Sequence, residues 1–192
     1  MGKFQTFLKR KNIVFSARRY GIDALGAMAQ GLFASLLVGT ILNTLGTQLH
    51  IGFLTKILVT VGTGEKAVNY TMGALASAMV GPAMAVAIGY ALQAPPLVLF
   101  TLVPVGFATN ALGGAGGPLA VLVVAIIAAE IGKAVSKETK VDILVTPIVT
   151  LLVGVGIACL IARPIGTAAQ WVGKFIMWAT ELQPFLMGII VS

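Results

Sequence analysis

A chain of 192 residues that is 58% hydrophobic and only 10% charged cannot cover a soluble surface, since ordinary soluble domains carry roughly 25% charged residues. Its net charge of +7 would suit a phosphate binder, but Lys3, Lys9, Arg10, Lys11, Arg18 and Arg19 all precede the first acid, Asp23. The remaining basic residues fall mostly in gaps between apolar runs, which is the positive-inside pattern and argues against nucleic acid as a partner.

Residues 1–20 interleave Phe4, Phe7, Leu8, Ile13, Val14 and Phe15 with this basic cluster. They suit either a short amphipathic segment on the cytoplasmic face of an anionic bilayer or a flexible basic tail. The apolar stretch that follows outruns the h-region of a signal peptide, so it is read as a retained first helix. That first span, IDALGAMAQGLFASLLVGTILNTLGTQL, carries Asp23 near its start and a ridge of Gly31, Ser35 and Gly39 that favours close helix packing. Residues 50–66 are too short and interrupted to cross and predict an interfacial helix. Residues 67–92 are long enough to span, with a kink expected at Gly81-Pro82.

From 93 to 118 the sequence departs from simple helix, with Pro95, Pro96 and Pro104 as breakers and Gly113, Gly114, Gly116 and Gly117 as a stop. The apolar residues Leu97 to Leu112 between them fit a short span or a re-entrant hairpin. Irregular backbone at membrane depth is tolerated only where protein buries it or it lines a cavity, so a solute pathway is expected here. Residues 119–135 predict a further span, and residues 143–162 another, stopped by Arg163-Pro164. Trp171 and Trp178 then mark an interfacial helix. A new apolar run from Leu182 ends at Ser192, before a helix could cross.

The expected fold is thus an all-α polytopic membrane protein of about five transmembrane helices plus a truncated sixth. A broken or re-entrant segment over 93–118 is kept open. If Leu97–Leu112 crosses, Lys3, Lys9, Arg10, Lys11, Arg18, Arg19, Lys133, Lys137 and Lys140 share the side of the N-terminus, against Lys56, Lys66, Arg163 and Lys174 opposite. The charge rule then favours a crossing and a cytoplasmic N-terminus.

Chemistry-bearing residues are few. Lone His50 reads as a solvated loop residue, and Cys159, inside an apolar run with no partner, as a buried inert thiol. No P-loop or set of metal ligands is present in the sequence, so no catalytic residue, metal or cofactor is expected. Glu130 is an acid well inside an apolar run, with Lys133 three residues on. It fits either an ion pair at the helix end or a polar contact on a pathway. Gln93, Pro95, Pro96, Thr109, Asn110, Glu130, Thr146 and Pro147 are the candidate pathway residues, as polar or helix-breaking positions in apolar context. Gln183 with Pro184 is of the same kind. Neutral hydrogen-bonding groups beside broken helices suit a sugar or similar hydroxylated solute better than an ion.

The segments RRYGIDALGAMAQGLFASLLVGTILNTLG, GPAMAVAIGYALQAPPLVLF, GGAGGPLAVLVVAIIAAEIGKAVSKETKVDILVTPIVT and WATELQPFLMGIIVS resemble the EIIC membrane subunits of the bacterial phosphotransferase system, in the perfringolysin O regulator-like branch. The resemblance covers nearly the whole chain. It divides the chain into the basic segment 1–20 and an EIIC-like membrane domain over 21–192, shorter than the branch's other members look. It implies a permease of the bacterial plasma membrane, a homodimer that moves a sugar for phosphorylation by a cytoplasmic EIIB partner. That partner is charged from phosphoenolpyruvate through EIIA and other relay proteins, and the EIIC chain carries no phosphorylated residue of its own. The alternatives are a membrane-embedded sensor that binds a ligand without transport, or a structural subunit completed by another chain.

Overall fold

Alternating apolar and basic residues make the first turns of chain amphipathic, and they fold as α1 (Lys3–Arg10). Phe7 and Leu8 are half-buried on the bundle, Lys9 and Arg10 face outward, and Ile13 beyond them is buried. In the computed structural model, which describes residues 3–64 and 67–182, this segment is therefore docked and not a free tail.

The long helix α2 (Arg18–Gln48) follows, with wider π-type turns over Arg18–Asp23 and Phe33–Leu37. After it come a helical turn, α3 (Gly52–Thr55), and an antiparallel hairpin of β1 (Val59–Val61) and β2 (Val68–Tyr70). The interfacial helix expected over 50–66 is thus corrected. Val59, Thr60 and Val61 favour the pleated strand, and Gly62 and Gly64 supply positive φ for the turn.

The chain returns through α4 (Met72–Ala78) and α5 (Val80–Ala91), which meet at a 53° bend. The bend lies at Met79, just before the expected Gly81-Pro82. The Pro82 ring would collide with the carbonyl four residues back, that of Ala78, so the preceding helix ends there and Pro82 sits in the first turn of α5. Thr71 caps α4 by accepting from the Ala74 amide at 3.2 Å, while its hydroxyl donates to Asn43 Oδ1 at 2.9 Å.

Pro95 and Pro96 then start α6 (Pro96–Gly113), where a missing amide hydrogen costs nothing. The region 93–118 is interrupted only at its ends, for α6 runs unbroken through Pro104, and the chain reverses at Gly114 (φ 51°). The return helix α7 (Gly117–Val135) lies antiparallel to α6: Gly113 faces Ala120, and Gly132 faces Val98. Last, α8 (Asp142–Leu182) is a single helix. The expected stop at Arg163-Pro164 is not there; Pro164 is absorbed in the helix interior, so the Trp171 and Trp178 segment continues α8. The apolar run 183–192, read as an unfinished span, lies outside the described residues.

Small residues set how these helices meet. On α8, Thr146, Thr150, Gly154, Ala158, Ala162 and Gly166 recur every fourth position and all are buried. Such a ridge lets helix backbones approach closely, and membrane helices associate chiefly through packing of this kind. The Gly31–Ser35–Gly39 ridge packs as expected, Gly31 against Ala83 and Met84 and Gly39 against Gly73 and Ser77. The core of Met84, Ile88, Leu92, Val98, Leu102, Val105, Val121 and Val124 lies where α5, α6 and α7 converge.

Phe33, Phe100, Phe107, Leu152, Leu160 and Trp171 are exposed on the outside, the apolar girdle of a multi-pass membrane protein. Arg18–Gln48 and Asp142–Trp178 are helical stretches long and apolar enough to cross a bilayer, as is Pro96–Val135, which holds the antiparallel α6 and α7, and the bent α4–α5 pair is a fourth if counted as one span. Cys159 is exposed on α8, not buried as expected, because it follows the buried Ala158 and turns outward.

Candidate functional site

Helices that end in a membrane protein leave carbonyls without partners, and the site grows from how this chain satisfies them. The C-terminus of α5 closes in a Schellman motif: Gln93 N donates to Tyr90 O at 2.9 Å and Ala94 N to Gly89 O at 2.9 Å, with Gln93 at φ 56°. α1 ends the same way, with Asn12 at φ 54° and bonds from Asn12 N to Lys9 O and Ile13 N to Leu8 O. Left-handed Asn12 and Gln93 are thereby brought face to face, and the Asn12 side-chain amide donates to Gln93 Oε1.

Below them lies Lys133, whose side chain is 1% exposed. Its ammonium donates to Asn12 O at 3.0 Å, Leu92 O at 3.0 Å and Glu130 Oε1 at 2.9 Å, using all three protons. Arg19 adds a second donor to Leu92 O at 2.7 Å. Two cations at the end of α5 meet the negative pole of its dipole. Glu130 is therefore the ion-pair partner of Lys133; its carboxylate also has the buried Tyr20 hydroxyl as a neighbour.

Above this knot a cleft of about 360 Å³ is lined by Arg10, Lys11, Asn12, Gln93, Pro95, Lys133, Ser136, Lys137 and Glu138. Arg10 and Lys11 each approach Glu138 Oε1 at 2.6 Å, and Lys11 also donates to the Ser136 carbonyl. The hydrogen bond from Lys11, aided by the nearby Arg10 charge, holds the Glu138 carboxyl below its usual range. A carboxylate with a lowered pKa contributes its stabilisation above the ordinary value of about 4.3 and loses it as pH falls through the lowered one. A spin label at Lys9 is thus expected to stay immobilised at neutral pH and to become mobile in acid, and Glu138→Gln should mobilise it at pH 7. An unchanged spectrum in Glu138→Gln would show that the pairs do not hold the segment.

On the other side of the bonded Asn12–Gln93 pair lies a second space. A cleft of about 350 Å³ bordered by Asn12, Arg18, Arg19, Asp23, Ala91 and Gln93 adjoins a groove of about 770 Å³ between α2 and α5. Asp23 and Ala91 belong to both. The groove walls are small, with Gly26, Ala27, Gly31 and Ala34 on α2 and Ala83 and Ala87 on α5, and Asp23 and Gln30 are its polar side chains from α2. These two are seven residues apart, hence on one face of the helix. Both are exposed and have no side-chain hydrogen bond or ion pair among the described residues.

The candidate residues named from sequence separate into three places. Gln93 and Pro95 line the basic cleft, with Pro96 next along the chain and Glu130 held by Lys133 below. Thr109 and Asn110 lie at the opposite end of α6, Thr109 bonding back to Val105 O at 2.7 Å and Asn110 packed on Gly117. Thr146 donates to Asp142 Oδ1 at 2.6 Å at the start of α8, one turn before the buried Thr150, and Pro147 follows it inside the helix. Asp23 and Gln30 were missed as site residues; the available signal was two polar residues spaced by seven on a helix face otherwise built of glycine and alanine. No group of three or more His, Cys, Asp or Glu side chains able to hold a metal occurs among the described residues.

Comparison with known families matches residues 22–192 to the family described as Phosphotransferase system, EIIC. Searches of curated proteins and of solved structures give no significant match.

Proposed function

The chain belongs to the phosphotransferase system EIIC family, and on that premise we propose that it is a sugar-translocating permease subunit of the bacterial plasma membrane, in the perfringolysin O regulator-like branch. A cytoplasmic EIIB partner, supplied through EIIA, phosphorylates the sugar at the end of the bundle that carries Asn12, Gln93 and Ser136. Arg10, Lys11, Arg18, Arg19, Lys133, Lys137 and Lys140 gather at that end, and the positive-inside rule makes it cytoplasmic. In this reading α2, the α4–α5 pair, α6, α7 and the first half of α8 are five crossings, with residues 1–20 a basic segment outside the membrane domain.

The observation that carries the proposal is the row of three clefts in which each shares wall residues with the next, Asn12 and Gln93 between the basic cleft and the second, Asp23 and Ala91 between the second and the groove with Gln30. A carboxylate and a neutral amide on walls of small residues can bond sugar hydroxyls while leaving room for the ring. Gln93, Pro95, Pro96 and Glu130 then shape the cytoplasmic mouth. Thr109 and Thr146, whose hydroxyls donate within their own helices, stay with Asn110 and Pro147 as second-choice pathway residues. The groove is open along one side, and a second copy of the chain, as in a homodimer, is the proposed cover.

The test is uptake and phosphorylation of a panel of sugars by vesicles containing the protein, with the relay proteins supplied. Gln30→Leu and Asp23→Asn are each expected to lower uptake of the transported sugar about tenfold or more, the loss of one or two hydrogen bonds, one of them charged. No sugar-dependent phosphoryl transfer across the panel would overturn the permease reading. Full uptake in both variants would overturn the groove.

A further inference from the structure

The docked N-terminal segment leaves a second cavity that the transport reading does not use. Between α1 and α7 lies a slot of about 380 Å³ whose surface is almost wholly apolar, from Phe7, Leu8, Ile13, Ile126, Ile127 and Ile131, with the Glu130 carboxylate at its edge neutralised by Lys133. An apolar slot open to water would be costly, but this one opens at the level where a membrane-spanning helix meets an amphipathic one, the boundary between acyl chains and headgroups.

Its mouth is charged. The Arg10 guanidinium lies 5.6 Å and the Lys11 ammonium 5.8 Å from the centre of the Phe7 ring, which forms one wall of the slot. Both cations draw on one carboxylate, that of Glu138, while Asp142 stands beside Lys137 and Lys11, so three cations meet two acids and one positive charge is left over. A slot for hydrocarbon and a surplus of cations thus meet at Phe7.

We propose that this slot is a binding site for an anionic phospholipid, with an acyl chain beneath Phe7 and the phosphate on Arg10, the exposed cation at its mouth. The lipid would pin the N-terminal segment to α7 from the membrane side, as Glu138 does from the cytoplasmic side. A zwitterionic lipid would offer the same chain but carry its own cation to a site that already has too many. Inorganic phosphate would offer the charge without the chain.

The experiment is native mass spectrometry of the full chain in detergent, titrated with phosphatidylglycerol, with phosphatidylcholine of the same chains, and with inorganic phosphate. Phosphatidylglycerol is expected to be retained at least tenfold more than phosphatidylcholine, with phosphate unable to compete. Ala134→Trp, which fills the slot, should abolish this preference with an unchanged circular dichroism spectrum, and Arg10→Gln should reduce phosphatidylglycerol to the phosphatidylcholine level. Should Ala134→Trp fail to fold, a phosphatidylglycerol with a photoreactive chain, used on the unaltered protein, should crosslink to residues 126–134. Equal retention of the two lipids, displacement by phosphate alone, a preference that survives Ala134→Trp, or crosslinks confined to other helices would each overturn the site.

Discussion

Replacing Lys133 by Met is expected to destabilise the protein by on the order of 3 kcal/mol or more, among the largest losses open to a single side chain, because removing one partner of a buried ion pair strands the other. Lys133 holds three acceptors with an almost fully buried ammonium, and two of them are main-chain carbonyls from segments far apart in sequence, Asn12 and Leu92. Without it, Glu130 is left as a carboxylate in an apolar wall, and one end of α5 loses a cap. Unfolding in detergent micelles, followed by heat or denaturant, measures the loss. Glu130→Gln alone should cost less, since a neutral amide can still accept from the ammonium. The pair Glu130→Gln with Lys133→Met should be milder than Lys133→Met itself, because no charge is stranded. A Lys133→Met variant within about 1 kcal/mol of the parent would show that the knot does not hold this end together.

Lys133 also shows what the sequence could and could not reveal. Its pairing with Glu130 was readable, because a spacing of three places the two side chains on one helix face. Its bonds to Asn12 and Leu92 were not, since they depend on two non-glycine residues, Asn12 and Gln93, adopting left-handed conformations that glycine would have advertised. The same reason hides the turn after α2, where His50 takes φ 53° and Ile51 N donates to Gly46 O.

Proline was read rightly at Gly81-Pro82, where the expected kink appears as the bend at Met79, and misled at Pro104 and Pro164. Pro95 and Pro96 open a helix, Pro82 sits inside the first turn of one, and Pro104 and Pro164 lie within continuous helices. In a bundle, neighbouring helices hold the chain straight where an isolated segment would break. The small-residue ridge of α2 was legible, whereas the longer one on α8, from Thr146 to Gly166, went unread because threonine and alanine alternate with glycine in it. The groove residues Asp23 and Gln30 follow the same logic: their meaning depends on the glycines and alanines beside them, and on α5 lying across from them.

Two glycines separate what folds the bundle from what the groove does. Gly106 of α6 and Gly81 of α5 each press on the other's carbonyl, and a Cβ at Gly106 would lie 2.6 Å from the Ala85 Cβ and 2.9 Å from the Gly81 carbonyl carbon. Backbone cannot move aside as a side chain can, so Gly106→Leu must push α5 and α6 away from each other. The expected result is a loss of about 3 kcal/mol, at the upper end of overpacking costs, or failure to recover folded protein. Gly26 is also helical, but a Cβ there meets nothing within 4 Å and points into the space of the α2–α5 groove. Gly26→Leu is expected to leave stability unchanged or raise it by a few tenths to about 1 kcal/mol, the helix propensity gained over glycine. It should nevertheless abolish uptake in the vesicle assay, because the isobutyl group occupies the path between Asp23 and Gln30. Equal losses of stability in the two variants would mean that the groove is packed in the membrane. A stable Gly26→Leu protein with full uptake would mean that the solute passes elsewhere.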